Sequence, residues 1–449
     1  MLKDKKVIVV GLAKSGVSAI ALLHQLGAVV TCTDIKSEEK LGELVDEVKP
    51  YISEAFYGYH PEQVSNYDLA VISPGVPLDI PFVNNLKENN VPIIGEVELA
   101  FRYSKGQFIG ITGTNGKTTT TALTGMIFEL SGKKAFTVGN IGVPVASKAL
   151  GSDDQTTFVT ELSSFQLETV AAFRAHIAAI LNLTPDHLNR HKTMTGYSEA
   201  KMRIFENQTF DDFLVLNYDD SETRKMGATA KGRVLYFSRL NQEIEGAFIE
   251  AGWIKIRFND TVTDICMIKD MKIFGSHNEE NALAASLMCF LAGIDVETIG
   301  LGLKTFAGVE HRIEFTAEID GVKYYNDSKG TNPDSTIKAI QAMTSKTYLI
   351  AGGYDKKSDF GPMFEVFGDT VEHLILLGAT KDILKQEALA RGYEKITCVK
   401  SMEEAVAFAH DHARSGEVVL LSPACASWDM YDNFEQRGDH FKKCVLDLK

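Results

Sequence analysis

Residues Thr112-Gly113-Thr114-Asn115-Gly116-Lys117-Thr118-Thr119 follow the apolar run QFIGI and lead into the helical pattern TTALTGMIFEL. The spacing predicts a glycine turn between a strand and a helix, the arrangement that cradles phosphate. Gly113 and Gly116 allow backbone N–H groups to converge on phosphate oxygens, with Thr114, Asn115, Thr119 and Thr120 in the same cradle. Lys117 is suited to offset charge on the β and γ phosphates, and Thr118 to ligate Mg²⁺. The strict pattern wants a glycine at position 111, where this chain has isoleucine, and Gly110 falls one residue too early. The segment is therefore a variant phosphate loop, and it is read as an ATP or GTP site.

Other chemistry gathers at the ends of neighbouring apolar runs. Glu161 closes FVTE, where an acid would complete a Mg²⁺ site or simply meet solvent. Asp186-His187 follows ILNL, so two strand ends are expected to meet the phosphate loop. Imidazole is a poor ligand for Mg²⁺, so His187 suggests a second, less demanding metal position. Lys201 in YSEAKMRIF reads, on local pattern alone, as a lysine on a helix surface. Further on, polar clusters end three more strands: Asp327-Ser-Lys329-Gly-Thr331, Gly352-Gly353 with Asp355, Lys356 and Lys357, and Ser422 to Ser427 followed by Phe434. Ligands of α/β sheets bind at such carboxyl ends. Cys425, between alanines, is read as a small core residue. Near the N-terminus, Gly11-Leu-Ala-Lys-Ser-Gly16 approximates the dinucleotide fingerprint, but Ala13 takes the place of its central glycine. Asp34 keeps NAD in play, a tight strand-to-helix turn accounts for the glycines equally, and Lys14, Ser15 and Lys36 suit another phosphate-bearing ligand.

These residues must be carried by a scaffold in which strands alternate with helices from one end to the other. That pattern predicts α/β domains on largely parallel sheets, and 449 residues suggest roughly three of them at about 150 each. The expected boundaries are 1–95, 96–307 and 308–449.

The charge balance is acidic, 46 Lys and Arg against 60 Asp and Glu, without a long basic run. Nucleic acid and membrane surfaces are therefore not expected partners. Six scattered cysteines, with no Cys-x-x-Cys and no Cys–His grouping in the sequence, argue against a disulfide scaffold or a structural zinc site. They fit a reducing compartment, and a cytoplasmic location is expected.

TGTNGKTTT, TELSSFQLE, NLTPDHLNRH, YSEAKMRIF, HNEENALAA, EHRIE and DSKGTN, taken in order, resemble the Mur ligases, with folylpolyglutamate synthase as a relative. The ending SPACASWDMYDNFEQRGDHF, with GNIGVP and SPGVP, is similar to the branch that adds D-glutamate. The resemblance implies a Rossmann-like N-terminal domain, a central phosphate-loop ATPase-like domain and a Rossmann-like C-terminal domain. It implies a cytoplasmic, monomeric enzyme of peptidoglycan precursor synthesis that joins D-glutamate to UDP-N-acetylmuramoyl-L-alanine through an acyl phosphate. ATP and Mg²⁺ are implied, the metal at two sites, with Mn²⁺ as a substitute. By motif, Lys117 and Thr118 serve phosphate and Mg²⁺, and Glu161 the same metal. His187 and Lys201, the latter as a carbamate, serve a second metal. Asn278 and Asn281 match the adenine-binding helix, while Arg312, Asp327 and Lys329 match groups that act on ATP and the acyl phosphate. Thr331, Lys356, Ser427 and Phe434 match the D-glutamate pocket, and Ser15, Lys36, Ser73 and Asn140 the UDP-sugar site.

Other readings remain at the level of sequence. A sister Mur ligase or a folylpolyglutamate-synthase-like ligase would add another amino acid. A phosphate-loop kinase or switch would leave the C-terminal clusters idle. A dinucleotide oxidoreductase would use the first glycine turn, and a nucleotide sensor would perform no chemistry.

Overall fold

The computed structural model describes residues 2–355 and 358–448; Lys356 and Lys357 lie outside the described residues. Three sheets organise the chain, and each is built on short, buried, β-branched runs.

The first sheet holds β1 (Lys6–Val10), β2 (Val29–Asp34), β3 (Glu54–Tyr57), β4 (Leu69–Ile72) and β5 (Ile93–Gly95), all parallel, in the order β3-β2-β1-β4-β5. Val7, Ile8, Val9 and Val10 are fully buried. A continuous apolar run of this kind is what a parallel strand covered on both faces requires. The helix Lys14–Gln25 follows β1 directly. Gly16 packs so closely on the Gly11 carbonyl that no side chain could stand there. Packing of the turn thus accounts for that glycine.

The second sheet contains β6 (Gln107–Thr112), β7 (Ala135–Gly139), β8 (Thr157–Glu161), β9 (Ile177–Ile180), β10 (Phe213–Asn217), β11 (Arg233–Ser238), β12 (Gly246–Glu250), β13 (Trp253–Phe258) and β14 (Thr261–Met267). Their order is β14-β13-β12-β11-β10-β9-β6-β8-β7. The pairs from β7 through β12 are parallel, and β13 and β14 extend the edge as antiparallel strands. Strand β6, which carries the phosphate loop, lies between β8 and β9, with Ile111 opposite Glu161 and Thr112 opposite Ile180. The carboxyl ends of all three strands therefore open at one place.

The third sheet contains β15 (Glu314–Ile319), β16 (Val322–Asn326), β17 (Thr347–Ala351), β18 (Val371–Leu376), β19 (Ile396–Cys398) and β20 (Val418–Leu421), in the order β15-β16-β20-β17-β18-β19. Only the β15–β16 pair is antiparallel. Its strands pack between two apolar layers, one around Leu349, Leu374 and Leu420, the other around Ile350, Val419 and Phe441. The three-domain α/β architecture with mostly parallel sheets matches the sequence expectation. The first two sheets share one compact unit, residues 2–269 with 281–303; the third belongs to a second unit, residues 270–280 with 304–448. No helix of the described residues is long and apolar enough to cross a membrane.

Candidate active site

The phosphate loop leaves β6 at Thr112 and enters the helix Lys117–Leu130. Gly116 adopts φ +83°, and a side chain there would collide with the Asn281 amide. A non-glycine residue is excluded on both counts. The loop is held from β9's end: Asn115 donates its backbone N–H to Asn182 Oδ1 at 2.8 Å, and Asn182 Nδ2 donates back to the Asn115 carbonyl at 3.1 Å. Thr114 Oγ1 donates to the Thr184 carbonyl at 3.1 Å and accepts from the Thr184 N–H at 3.0 Å. Lys117 folds back over the loop, its ammonium donating to the Gly113 and Thr114 carbonyls at 2.9 and 2.7 Å. Thr118 and Thr119 are buried at the start of the helix, and Thr120 Oγ1 donates to Asn281 Oδ1 at 3.1 Å. Asn278, three residues before Asn281 on the helix Ser276–Leu291, donates to the Phe274 carbonyl at 2.8 Å.

Glu161 ends β8 with 1% of its surface exposed. Asn140 Nδ2 donates to its Oε1 at 2.7 Å, while Oε2 is buried without a hydrogen-bond partner. A buried carboxylate oxygen with no donor needs a cation, and Mg²⁺ takes oxygen ligands of this kind. Asn140 is thereby tied to Glu161, next to the phosphate loop. His187 adopts φ +54° at the start of the short helix Leu188–His191 and stands 3.6 Å from the Asp186 carboxylate.

Lys201 departs from its surface reading. The helix Met194–Met202 turns it inward, 1% exposed, with Nζ donating to the Gly113 carbonyl at 2.7 Å and lying 4.6 Å from the Tyr197 ring centre. Burial, then repulsion from Lys117, push its ammonium well below the usual lysine range. The local pattern failed because helix Met194–Met202 has little amphipathic contrast, and the inward face is set by Tyr197 and Ala200.

In the N-terminal domain a cavity of about 720 Å³ opens beyond the ends of β1, β2 and β4, bounded by Gly11, Asp34, Ile35, His60, Val76 and Phe82. His60 and Phe82 stack there, with ring centres 4.5 Å apart. Asp34 spends its carboxylate on the Leu12 and Lys36 amides at 2.7 and 2.8 Å, which fixes the turn. Ser73 is buried and donates to the Gly11 carbonyl at 2.7 Å. Ser15 sits in the first turn of its helix, and Lys36 is exposed. Asp34 lines the cavity, together with Gly75 and Val76 beyond β4; Ser15, Lys36 and Ser73 are not among its lining residues.

The C-terminal domain has its own polar centre. Asp327, just past β16, accepts from Ser422 Oγ at 2.7 Å and from the Ile313 amide at 3.3 Å. Burial raises its carboxyl to about 6, against the pull of Arg312 and the Ser422 hydroxyl. Arg312 Nε is buried without a hydrogen-bond partner, a donor in want of an acceptor such as an anion. Lys329 Nζ lies 5.2 Å from the Phe434 ring centre, and Thr331 donates its N–H to the Lys329 carbonyl at 2.9 Å, so these three residues are brought together. Ser427 is buried at the end of the Ser422–Ser427 loop, where its carbonyl accepts from the Tyr431 amide at 2.8 Å. Lys356 is outside the described residues. Arg437, which the sequence offers among the polar residues following Ser427, instead holds this loop: it donates to the Cys425 and Ser328 carbonyls at 3.1 and 2.7 Å. Cys425 is buried, as its neighbours suggest. Asn182 was missed; its signal was an asparagine at a strand end facing a glycine loop.

Three α/β domains, the central one opened by a phosphate loop with a buried acid beside it, define a nucleotide-dependent enzyme assembled from parallel-sheet modules. Family models match throughout: a Mur ligase MurD-like N-terminal domain over residues 5–95, a Mur ligase middle domain over 111–289 and a Mur ligase glutamate ligase domain over 311–425. The chain belongs to the Mur ligase family and is an ATP-dependent ligase that forms amide bonds. It is 50% identical over 451 aligned positions to UDP-N-acetylmuramoylalanine–D-glutamate ligase of Alkaliphilus metalliredigens, covering 100% of this chain and 99% of that one. The enzyme of the same name from Clostridioides difficile is also 50% identical, with both chains covered completely. Among solved structures, UDP-N-acetylmuramate-alanine ligase MurC of Thermotoga maritima superimposes with a TM-score of 0.63 at 20% identity, covering 99% of this chain and 100% of its own. Thermotoga maritima MurF ligase in complex with ADP gives 0.62 at 15% identity, covering 94% and 96%. These two show the fold.

Proposed function

We propose that this chain joins D-glutamate to UDP-N-acetylmuramoyl-L-alanine, with ATP converted to ADP and phosphate, in cytoplasmic peptidoglycan precursor synthesis. The observation that carries the proposal is the 50% identity, along the whole chain, to ligases named for that reaction. The reaction activates the muramoyl-alanine carboxylate as an acyl phosphate; the D-glutamate amine attacks it, the amide forms, and phosphate and a proton leave.

The roles rest on the motif of each domain, supported by the contacts described above. Lys117, with the backbone amides of the loop from Gly113 to Gly116, binds the β and γ phosphates, and Thr119 and Thr120 complete the cradle. Asn281, held by Thr120, and Asn278 bind the adenine. Thr118 and the unpartnered oxygen of Glu161 would hold Mg²⁺, and His187 with Lys201 would hold a second divalent ion, Mg²⁺ or Mn²⁺. Bound there, the metals offset the negative charge that accumulates as phosphate is transferred. Lys201 has the environment a carbamate requires, because only the neutral amine reacts with CO₂ and burial favours that form. Arg312, whose Nε lacks a hydrogen-bond partner, acts with Asp327 and Lys329 on ATP and the acyl phosphate. Thr331, Ser427, Phe434 and Lys356 take D-glutamate, and Lys356 is the natural partner for its side-chain carboxylate. Ser15, Lys36, Ser73 and Asn140 serve the UDP-sugar, whose nucleobase fits the cavity walled by His60 and Phe82. The enzyme is expected to act as a monomer.

Phosphate release should require both UDP-N-acetylmuramoyl-L-alanine and D-glutamate. With L-alanine or L-lysine in place of D-glutamate it should fall to background; turnover with either at the D-glutamate rate would assign the chain to a sister activity.

A further inference from the structure

Two helices of the C-terminal domain, Met402–His412 and Phe434–Leu446, bring together three ligand-type side chains that the proposed reaction does not use. His440 and Cys444 are four residues apart on the second helix and therefore share a face. Glu403 reaches them from the first. One ligand atom from each lies within 4.8 Å of the others. No Cys–His cluster is expected from the sequence; one helical turn and a neighbouring helix create one.

We propose that Glu403, His440 and Cys444 form a binding site for a borderline-soft divalent cation such as Zn²⁺. The donor set is one carboxylate oxygen, one imidazole nitrogen and one thiolate, which suits Zn²⁺ and not Mg²⁺. Three protein ligands leave a fourth position open to water. His440 is already oriented for the role: Nε2 lies 2.9 Å from Glu403 Oε1, and Nδ1 lies 2.9 Å from the Tyr431 hydroxyl. With a cation on Nε2, the ring proton moves to Nδ1 and donates to the Tyr431 oxygen, the outer support that metal-bound histidines ordinarily have. Binding releases the Cys444 proton as a thiolate–metal bond forms. Burial, and then Glu403 and Asp447, raise that thiol to about 11; a cation between the three groups favours the thiolate against them.

A second group on the same helix makes the contrast. Glu310, His311 and Asp439 also lie within reach of one another, but Lys442 is paired with Glu310 and stands 3.1 Å from Asp439, so a cation is already in place. Glu403 has His440 as its ion-pair partner, and no lysine or arginine is paired with it among the described residues.

Cobalt(II) is the probe, added to the full-length protein in excess Mg²⁺ and in a Cys398→Ser background, because Cys398 is an exposed thiol. One cobalt per chain is expected, with a thiolate-to-cobalt charge-transfer band that Zn²⁺ displaces and that Cys444→Ser and His440→Ala abolish. Absence of the band, or its persistence in Cys444→Ser, overturns the site. A measurement without a mutation at the site guards against misfolded variants: Zn²⁺ should slow alkylation of Cys444, followed by mass spectrometry, at least tenfold. An unchanged alkylation rate overturns the proposal equally.

Discussion

The Lys201 ammonium lies 2.7 Å from the carbonyl oxygen of Gly113, so a lysine from a helix some ninety residues downstream closes the phosphate loop from beneath. Thr112 Oγ1 is 3.4 Å from the same nitrogen, and the Tyr197 ring covers it. A side chain that the local pattern would leave in water is thus an internal group. Its charge is disfavoured by burial and by Lys117, and favoured by Asp186 and Glu161.

Lys201→Arg keeps a cation but cannot form a carbamate, so it should be as inactive as Lys201→Ala. Adding a short carboxylic acid should partly restore Lys201→Ala, by supplying the missing oxygen ligand, and leave the arginine variant unchanged. Steady-state assays of both variants check this; an active Lys201→Arg enzyme removes the carbamate from the mechanism.

Lys117→Ala should lose activity by at least ~10²–10³-fold, the range for removing one preorganised charge-stabilising group. Its ammonium donates to two carbonyls of the loop itself, so circular dichroism and the unfolding temperature should change little.

Asn182→Ala removes both hydrogen bonds that clamp Asn115, at a cost of about 1–3 kcal/mol. The apparent KM for ATP should rise about tenfold, while the KM for D-glutamate stays near its wild-type value.

Ser427→Ala should raise the KM for D-glutamate and leave ATP binding nearly unchanged, since the phosphate loop belongs to another domain. Lys356→Ala should do the same. Initial-rate kinetics varying one substrate at a time separate the two effects; lost ATP affinity with normal D-glutamate dependence would count against the assignment.

Glu96 offers a test of stability alone. It is completely buried, accepts from the Ala146 amide through Oε1, and its Oε2 has no hydrogen-bond partner; burial raises its carboxyl to about 7. Between the unfolded value near 4.5 and 7 the folded chain binds more protons than the unfolded one, so stability falls as pH rises through that window. Glu96→Gln should be the more stable protein at pH 8, by up to about 3 kcal/mol, and show little difference at pH 4. Urea melts at the two pH values measure it.

The phosphate loop was legible in the sequence because its chemistry is local: two glycines, a lysine and a threonine at fixed spacing between a strand and a helix already specify the cradle. The parallel α/β architecture was legible for a similar reason. Runs such as Val7-Ile-Val-Val10, apolar at every position, cannot be half-exposed strands, and they alternate with helices along the whole chain. What tertiary structure decided was where side chains point when several elements meet. Lys201 is internal because Tyr197 and Ala200 dock its helix against the loop. Glu161 keeps an unpartnered oxygen because Asn140 takes the other. Arg312 is left with an unpaired donor, and Asn182 becomes a clamp, through pairings between residues far apart in sequence. Glu403, His440 and Cys444 converge only when two helices pack. Such contacts depend on register and crossing geometry summed over many apolar contacts, and no short window of sequence carries that information.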